Sequence, residues 1–268
     1  MDQDARVTGL RIERSGPVLT VAFDNPDRRN AQVPSTWHAL AQVETLVDDS
    51  VRVVVVRGDG ADFSAGLDLR LLAPGGLPGE RSPLDPGVEP HAFIRDAQAG
   101  FRWWSRADVV TVALVQGNAI GAGFQLALAC DLRVLDPGAR FAMRETSLGL
   151  VPDLGGTGPL VEAIGYSRAL EVCATGRFVS ADEAHQWGLA NAIVPQSEWE
   201  TWLANALAPI LSADRGAVAE LKALLRGATP DDEQWDRERE AQVRRLSALA
   251  AFLATASRSA QAPNPDRR

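Results

Sequence analysis

Residues 109–130 read VVTVALVQGNAIGAGFQLALAC, an uncharged run long enough to cross a bilayer if it formed one helix. Its interior argues against that. Gln116-Gly117-Asn118 and Gly121-Ala122-Gly123 put amides and glycines at midspan, where a lipid-facing backbone would go unsatisfied. The residue types also change along the run. Val109–Val115 is rich in β-branched residues and Phe124–Cys130 in Ala and Leu, which predicts a buried strand, a tight turn and a buried helix. Such a unit builds α/β proteins, and no membrane partner is expected.

Working outward, Leu10–Arg14 and Val18–Phe23 flank Ser15-Gly16-Pro17 and read as a hairpin. Pro34-Ser35-Thr36 opens a helix with Trp37, Leu40, Val43 and Val47 on one face. Val51–Val56, broken only by Arg52, suits a strand buried on both faces, and so a sheet covered by helices. Residues 73–90, APGGLPGERSPLDPGVEP, have no periodicity and read either as a surface loop or as a mobile flap over a site. His91–Arg106 reads as helix and Asp131–Leu135 as a further short strand. From Tyr166 onward the chain reads as mostly helical, with apolar repeats at Val218, Leu221 and Leu225 and at Val243, Leu246, Ala250 and Leu253. The closing SAQAPNPDRR is expected to fray. This order predicts an α/β core over 1–200 and a helical C-terminal region over 201–268. Trp199, Trp202, Trp235 and Phe252 give that region more apolar surface than short helices can cover, which points to self-association.

Composition narrows the function. Among 268 residues, 27 basic and 35 acidic side chains give a net charge of −8, and Lys222 is the single lysine. No basic field is available for nucleic acid, so no nucleic-acid partner is expected. Cys130 and Cys173 are too few for a disulfide framework, and MDQDARVTGL lacks the apolar centre of a signal peptide, so the expected location is cytoplasmic. No phosphate-cradling G-x-x-x-x-G-K-[ST] is present. Gly121-Ala122-Gly123 starts like a dinucleotide fingerprint, but Leu126 takes the third glycine's place and no ribose-binding acid follows at the usual distance. Asp62-Phe63-Ser64-Ala65-Gly66 resembles a nucleophile elbow with Asp where the first glycine belongs. His38, His91 and His185 are scattered and form no metal-ligand pattern with the cysteines.

Two turns remain, Asp62–Leu69 and Gly117–Leu126, each read as leaving a buried strand and entering a helix. Free N–H groups at such starts are partly positive. Two of them converging would hold a carbonyl as it becomes an enolate. Taken singly, each turn also reads as an ordinary connection. Together and in order, NPDRRNA (25–31), FSAGLDL (63–69), GNAIGAGFQLALACDLRV (117–134), FAMRETSLGLVPDLGGT (141–157) and GRFVSADEAHQWGLANAIVP (176–195) resemble the crotonase (enoyl-CoA hydratase/isomerase) superfamily from about residue 8 to about residue 200.

The resemblance implies an α/β fold with a ββα spiral core, assembly as a homotrimer or dimer of trimers, and an acyl-CoA substrate. Coenzyme A arrives as part of that substrate, with no metal or other cofactor. It implies oxyanion donors at the backbone N–H groups of Leu67 and Ala122, where relatives usually carry glycine at the second position. Arg28, Arg29, Ala31 and Ala65 fall where relatives meet coenzyme A, although either arginine also reads as a solvated loop charge. Leu71, Leu72, Trp103 and Trp104 read equally as acyl pocket or core. Relatives that hydrate carry two glutamates; here the positions hold Gln125 and Glu145, and a glutamine cannot exchange a proton at neutral pH. Asp153 matches the aspartate of dienoyl-CoA isomerases, which also carry an acid where Gln125 sits; Asp153 reads alternatively as a helix cap. The expected activity is double-bond isomerisation of an enoyl- or dienoyl-CoA with Glu145, and Asp153 as its partner, as acid/base. The alternatives are hydration by Glu145 alone, another enolate reaction on a CoA thioester such as decarboxylation or hydrolysis, and acyl-CoA binding without catalysis.

Overall fold

The predicted hairpin forms and extends into a meander. β1 (Ala5–Val7), β2 (Leu10–Ser15) and β3 (Val18–Phe23) pair antiparallel, with Ile12 opposite Val21 and Arg14 opposite Leu19. The chain then crosses through α1 (Pro34–Val43) to β4 (Val53–Gly58), and through α2 (Pro90–Arg102) to β5 (Val110–Val115). Beyond β5 come β6 (Asn118–Ile120), α3 (Ala122–Ala129), β7 (Leu132–Leu135) and β8 (Arg140–Ala142). There follow α4 (Thr157–Ile164), α5 (Tyr166–Thr175), β9 (Val179–Ser180), α6 (Ala181–Gln186), β10 (Ala192–Ile193), α7 (Trp199–Ser212), α8 (Arg215–Arg226) and α9 (Asp232–Gln261). The main sheet has the order β1-β2-β3-β4-β5-β7-β10, parallel from β3 onward; β6, β8 and β9 form a small second sheet.

This computed structural model describes residues 5–7, 9–226, 228 and 232–261, so residues 262–268 of the closing stretch lie outside the described residues. The chain divides into two units, Met1–Leu211 and Ser212–Arg268. The first unit therefore takes in α7 as far as Leu211. The second contains α8 and α9, tied by Arg244–Glu220 at 2.8 Å, with Arg245 of α9 also reaching Asp214, the residue before α8, at 2.5 Å.

The β-branched run on β4 behaves as its sequence predicts. Val54 and Val56 face a large core with α1, α2 and α3, while Val53 and Val55 face a second core against α7. That second core corrects one expectation. Trp199 is buried, donating its indole N–H to Val194 O at 3.0 Å, and Trp202 packs beside it. Both are therefore used within the chain and lend no support to self-association; Trp235 and Phe252 are about two-thirds exposed, at 70% and 68%. Trp103 and Trp104 stack at 4.3 Å between ring centroids, and with Leu71 they belong to the buried interior.

The run at 109–130 divides into β5, β6 and α3, and no helix among the described residues is long and apolar enough to cross a membrane. The strands β6, β9 and β10 fall where sequence reading saw turn or helix. At two or three residues each they are too short to show a period. Behind α3, the half-buried Arg133 donates to Cys130 O at 2.7 Å and Leu189 O at 2.6 Å, which satisfies a carbonyl at the end of that helix and ties it to the loop between α6 and β10.

Candidate active site

Three of the quoted motifs run side by side. Phe63 N–H donates to Gln116 O (2.8 Å) and Ser64 N–H to Asn118 O (2.9 Å), while Ile120 N–H returns to Ser64 O (3.0 Å). On the other flank Ala65 N–H donates to Arg29 O, Gln32 N–H to Gly66 O and Asp68 N–H to Gln32 O, at 2.7–2.9 Å. The buried polar side chains of Asn30, Gln32 and Ser64 lock these strips together. Asn30 Nδ2 donates to Asp62 O, Gln32 Nε2 to Ser64 Oγ, and Ser64 Oγ–H to Asn30 O. Sequence reading passed over these three, because a buried amide or hydroxyl carries no periodic signal.

The two turns meet at Gly66 and Gly121. Gly66 has φ +80°, and a Cβ there would lie 2.4 Å from Ile120 O and 3.4 Å from Ala122 N. Gly121 has φ +51°, and a Cβ there would lie 3.3 Å from Glu145 Oε1. Both conformations suit glycine. The residues that follow, Leu67 and Ala122, have N–H groups with no acceptor among the described residues. Ala122 is the first residue of α3 and gains from its positive end. Leu67 does not. The expected helix after it is one 3-10 turn, Leu69–Leu72, begun by Asp68 accepting from Arg70 N–H and stopped by the Pro/Gly-rich stretch beyond.

Glu145 opens a 3-10 turn after β8. Its Oε1 accepts from Gln125 Nε2 at 2.8 Å, while its Oε2 is buried without a partner. Burial raises its pKa, and the charge of Asp153 pushes the same way. Gln125 is itself buried on α3, and its Oε1 accepts from Leu154 N–H at 2.8 Å and Gly156 N–H at 3.3 Å. Asp153 stands at the open rim of the loop, its carboxyl also pushed up by the surrounding protein, and its carbonyl accepts from Gln98 Nε2 of α2 at 2.7 Å. It does not cap α4, whose N-cap is Gly156 with no side-chain bond. Between the two carboxylates Leu148, Leu150 and Val151 are exposed.

Arg28 reaches Asp68 at 3.3 Å and Arg29 reaches Asp62 at 3.8 Å, so each arginine is drawn to a buried acid flanking the first turn. Asp62 is fixed in turn by Asn118 N–H at 2.9 Å. Ala31 and Ala65 lie half-buried in the same strips. The structure thus gathers Arg28, Arg29, Ala31, Ala65 and Leu67 around one turn, and Ala122, Gln125, Glu145 and the Asp153 loop around the other. Among the described residues no group of three or more His, Cys, Asp or Glu is placed to hold a metal ion.

The sequence profile of the enoyl-CoA hydratase/isomerase family matches residues 13–251. The chain belongs to that family. Carnitinyl-CoA dehydratase of Salmonella typhi is 34% identical over 223 residues, covering 82% of this chain and 81% of its own. The fold is the crotonase fold. A Thermobifida fusca YX protein, provisionally assigned as an enoyl-CoA hydratase and solved with acetoacetyl-CoA, superimposes with a TM-score of 0.86 at 41% identity, over 90% of this chain and 95% of that one. A Geobacillus kaustophilus structure gives 0.80 at 27% identity, over 94% and 97%. Within this enoyl-CoA hydratase/isomerase member, the five quoted segments all fall inside the matched span.

Proposed function

We propose that this family member shifts a double bond in an enoyl- or dienoyl-CoA through an enolate. The observation that carries the reading is the half-buried Glu145, whose unpartnered Oε2 lies beside a glycine turn ending in the free N–H of Ala122. The thioester oxygen would accept from Leu67 and Ala122 N–H as negative charge develops on it, a contribution of about 3–4 kcal/mol per donor by analogy with other oxyanion holes. Glu145 takes a proton from one carbon, the electron pair moves toward the thioester oxygen, and the enolate collapses as a proton returns to another carbon from Glu145 or Asp153. Two carboxyls of raised pKa suit that exchange. The substrate gains one proton for the one it loses; where Asp153 starts protonated and gives it, the proton left on Glu145 passes back to Asp153 before the next turnover, so the step needs no cofactor beyond the coenzyme A carried by the substrate. Arg28, Arg29, Ala31 and Ala65 would hold the coenzyme A end, and the working assembly would be a homotrimer or dimer of trimers.

A second reading, hydration or dehydration by Glu145 alone, is favoured by the similarity to a carnitinyl-CoA dehydratase. One assay panel separates the readings: 2-enoyl-, 3-enoyl- and dienoyl-CoA with wild type, Glu145→Gln and Asp153→Asn. We expect isomerised products, a kcat about 10²- to 10⁴-fold lower in Glu145→Gln, and loss of one limb of a bell-shaped pH–rate profile in Asp153→Asn. Hydrated product formed equally well by Asp153→Asn would favour the second reading. Full turnover by Glu145→Gln would refute both, and binding without turnover on every substrate would leave an acyl-CoA-binding protein.

A further inference from the structure

Gln125 stands where relatives that hydrate carry one of their two glutamates, yet both ends of its amide are taken by protein. Leu154 N–H and Gly156 N–H both point at one end, so that end must be the carbonyl. The NH2 end is thereby turned toward Glu145 Oε1, at 2.8 Å. The orientation of the amide is dictated by its partners. Its stem is equally confined: the residue is 1% exposed, and a Cβ on Gly156 would come within 2.8 Å of Gln125 Cγ.

We propose, resting on the reading of Glu145 as the acid/base, that Gln125 is a positioning residue: a neutral two-ended clamp that commits Oε1 of Glu145 and leaves Oε2 as the oxygen that exchanges protons. The same clamp ties three parts of the site together. Gln125 stands on α3 one turn beyond Ala122, holds Glu145 at one end, and at the other holds Leu154, the neighbour of Asp153. Neutrality matters because a carboxyl, Asp153, already faces Glu145 from the following loop. The other ionisable neighbours are Cys173 on α5, a thiol that burial and Glu145 hold in its neutral form, and the Arg144 cation beside it in the chain. A second carboxylate at 125 would stand at hydrogen-bond distance from Oε1, and the pair would have to share a proton.

The test uses Gln125→Met, which keeps the length and removes all three side-chain hydrogen bonds, and Gln125→Glu, which reproduces donor and acceptor only while protonated. In Gln125→Met we expect kcat to fall about 10- to 100-fold with KM within about 3-fold, because the residue acts through Glu145 and not on substrate. In Gln125→Glu turnover should survive only in the pH window where the two carboxyls carry one proton between them. A readout independent of catalysis is carbon-13 NMR titration of the Glu145 carboxyl, its resonance assigned with Glu145→Gln. Loss of the Gln125 bond to the ionised form should move that titration upward in Gln125→Met. An unmoved titration in a folded Gln125→Met overturns the clamp whatever the enzyme catalyses. A Gln125→Glu variant faster than wild type across the whole pH range also overturns it, by making position 125 a proton-transfer site. Full activity of Glu145→Gln alongside a shifted titration in Gln125→Met would instead sink the catalytic reading and leave the clamp as a structural one.

Discussion

Two carboxylates in this site have opposite environments, and their roles follow from that. Asp68 is held down to about 2, first by the hydrogen bond from Arg70 and with a smaller contribution from Arg28, so it remains an anion that anchors the loop. Glu145 is pushed up, first by burial, and only hydrogen bonds such as that from Gln125 restrain the rise. A carboxyl with a raised folded pKa binds its proton more tightly in the folded than in the unfolded chain. Its contribution to stability is therefore complete below the unfolded pKa and is lost as pH rises through the folded value. Glu145→Gln should raise Tm above that of wild type at about pH 8, and the gap should close by about pH 4. Asp153→Asn should show the same sign with a smaller gap, since its side chain is more open to water. Thermal melts across that range check both, and a Tm gap that widened toward acid would contradict the burial of Glu145 as its cause.

The two glycine turns are a property of paired strips, not of either loop. Gly66→Ala would push a methyl to 2.4 Å from Ile120 O at a φ of +80°, so the strips carrying Leu67 and Ala122 must separate. We expect a loss of about 1–3 kcal/mol in stability from the strained backbone and about 10²- to 10³-fold in kcat from one displaced donor. Denaturant melts and kcat measure the two separately. Arg133 supports the same device from behind, since the helix whose first N–H faces the site ends on carbonyls that this side chain helps to satisfy. Arg133→Met would leave Cys130 O and Leu189 O without that donor, costing about 1–3 kcal/mol in a denaturant melt.

A chain of net charge −8 is a poor global host for a polyanion such as coenzyme A, yet a site is governed by its neighbourhood. Arg28 and Arg29 are both partly exposed, and each is drawn to an acid that is itself buried, so their guanidinium groups reach solvent beside the first turn. Replacing both with alanine should raise KM for an acyl-CoA about 3- to 10-fold, leave kcat within about 2-fold, and flatten the dependence of KM on salt. Titration of substrate at two ionic strengths checks this. An unchanged salt dependence would remove both arginines from the coenzyme A site.

Much of the fold was legible because burial leaves a local record. The alternation of Val53 and Val55 with Val54 and Val56 between two cores is written in an unbroken β-branched run, since every residue of a doubly covered strand must be apolar. The hairpin around Gly16 and the positive φ angles of Gly66 and Gly121 were legible because a backbone angle is a local demand, whereas the close approach of Gly66 to Ile120 was not. Trp199 illustrates the limit. Its spacing said only that it was apolar on a helix, and whether it served this chain or a second copy depended on the sheet face opposite. Gln125 illustrates it further, for its letter in the sequence suggested a weakened catalyst, while its partners at 145, 154 and 156 make it a clamp. Periodicity reports which way a residue faces. Which donor meets which acceptor across such separations depends on how the chain returns on itself, and that is settled only when the packed strips and helices bring those atoms within 3 Å or so of one another.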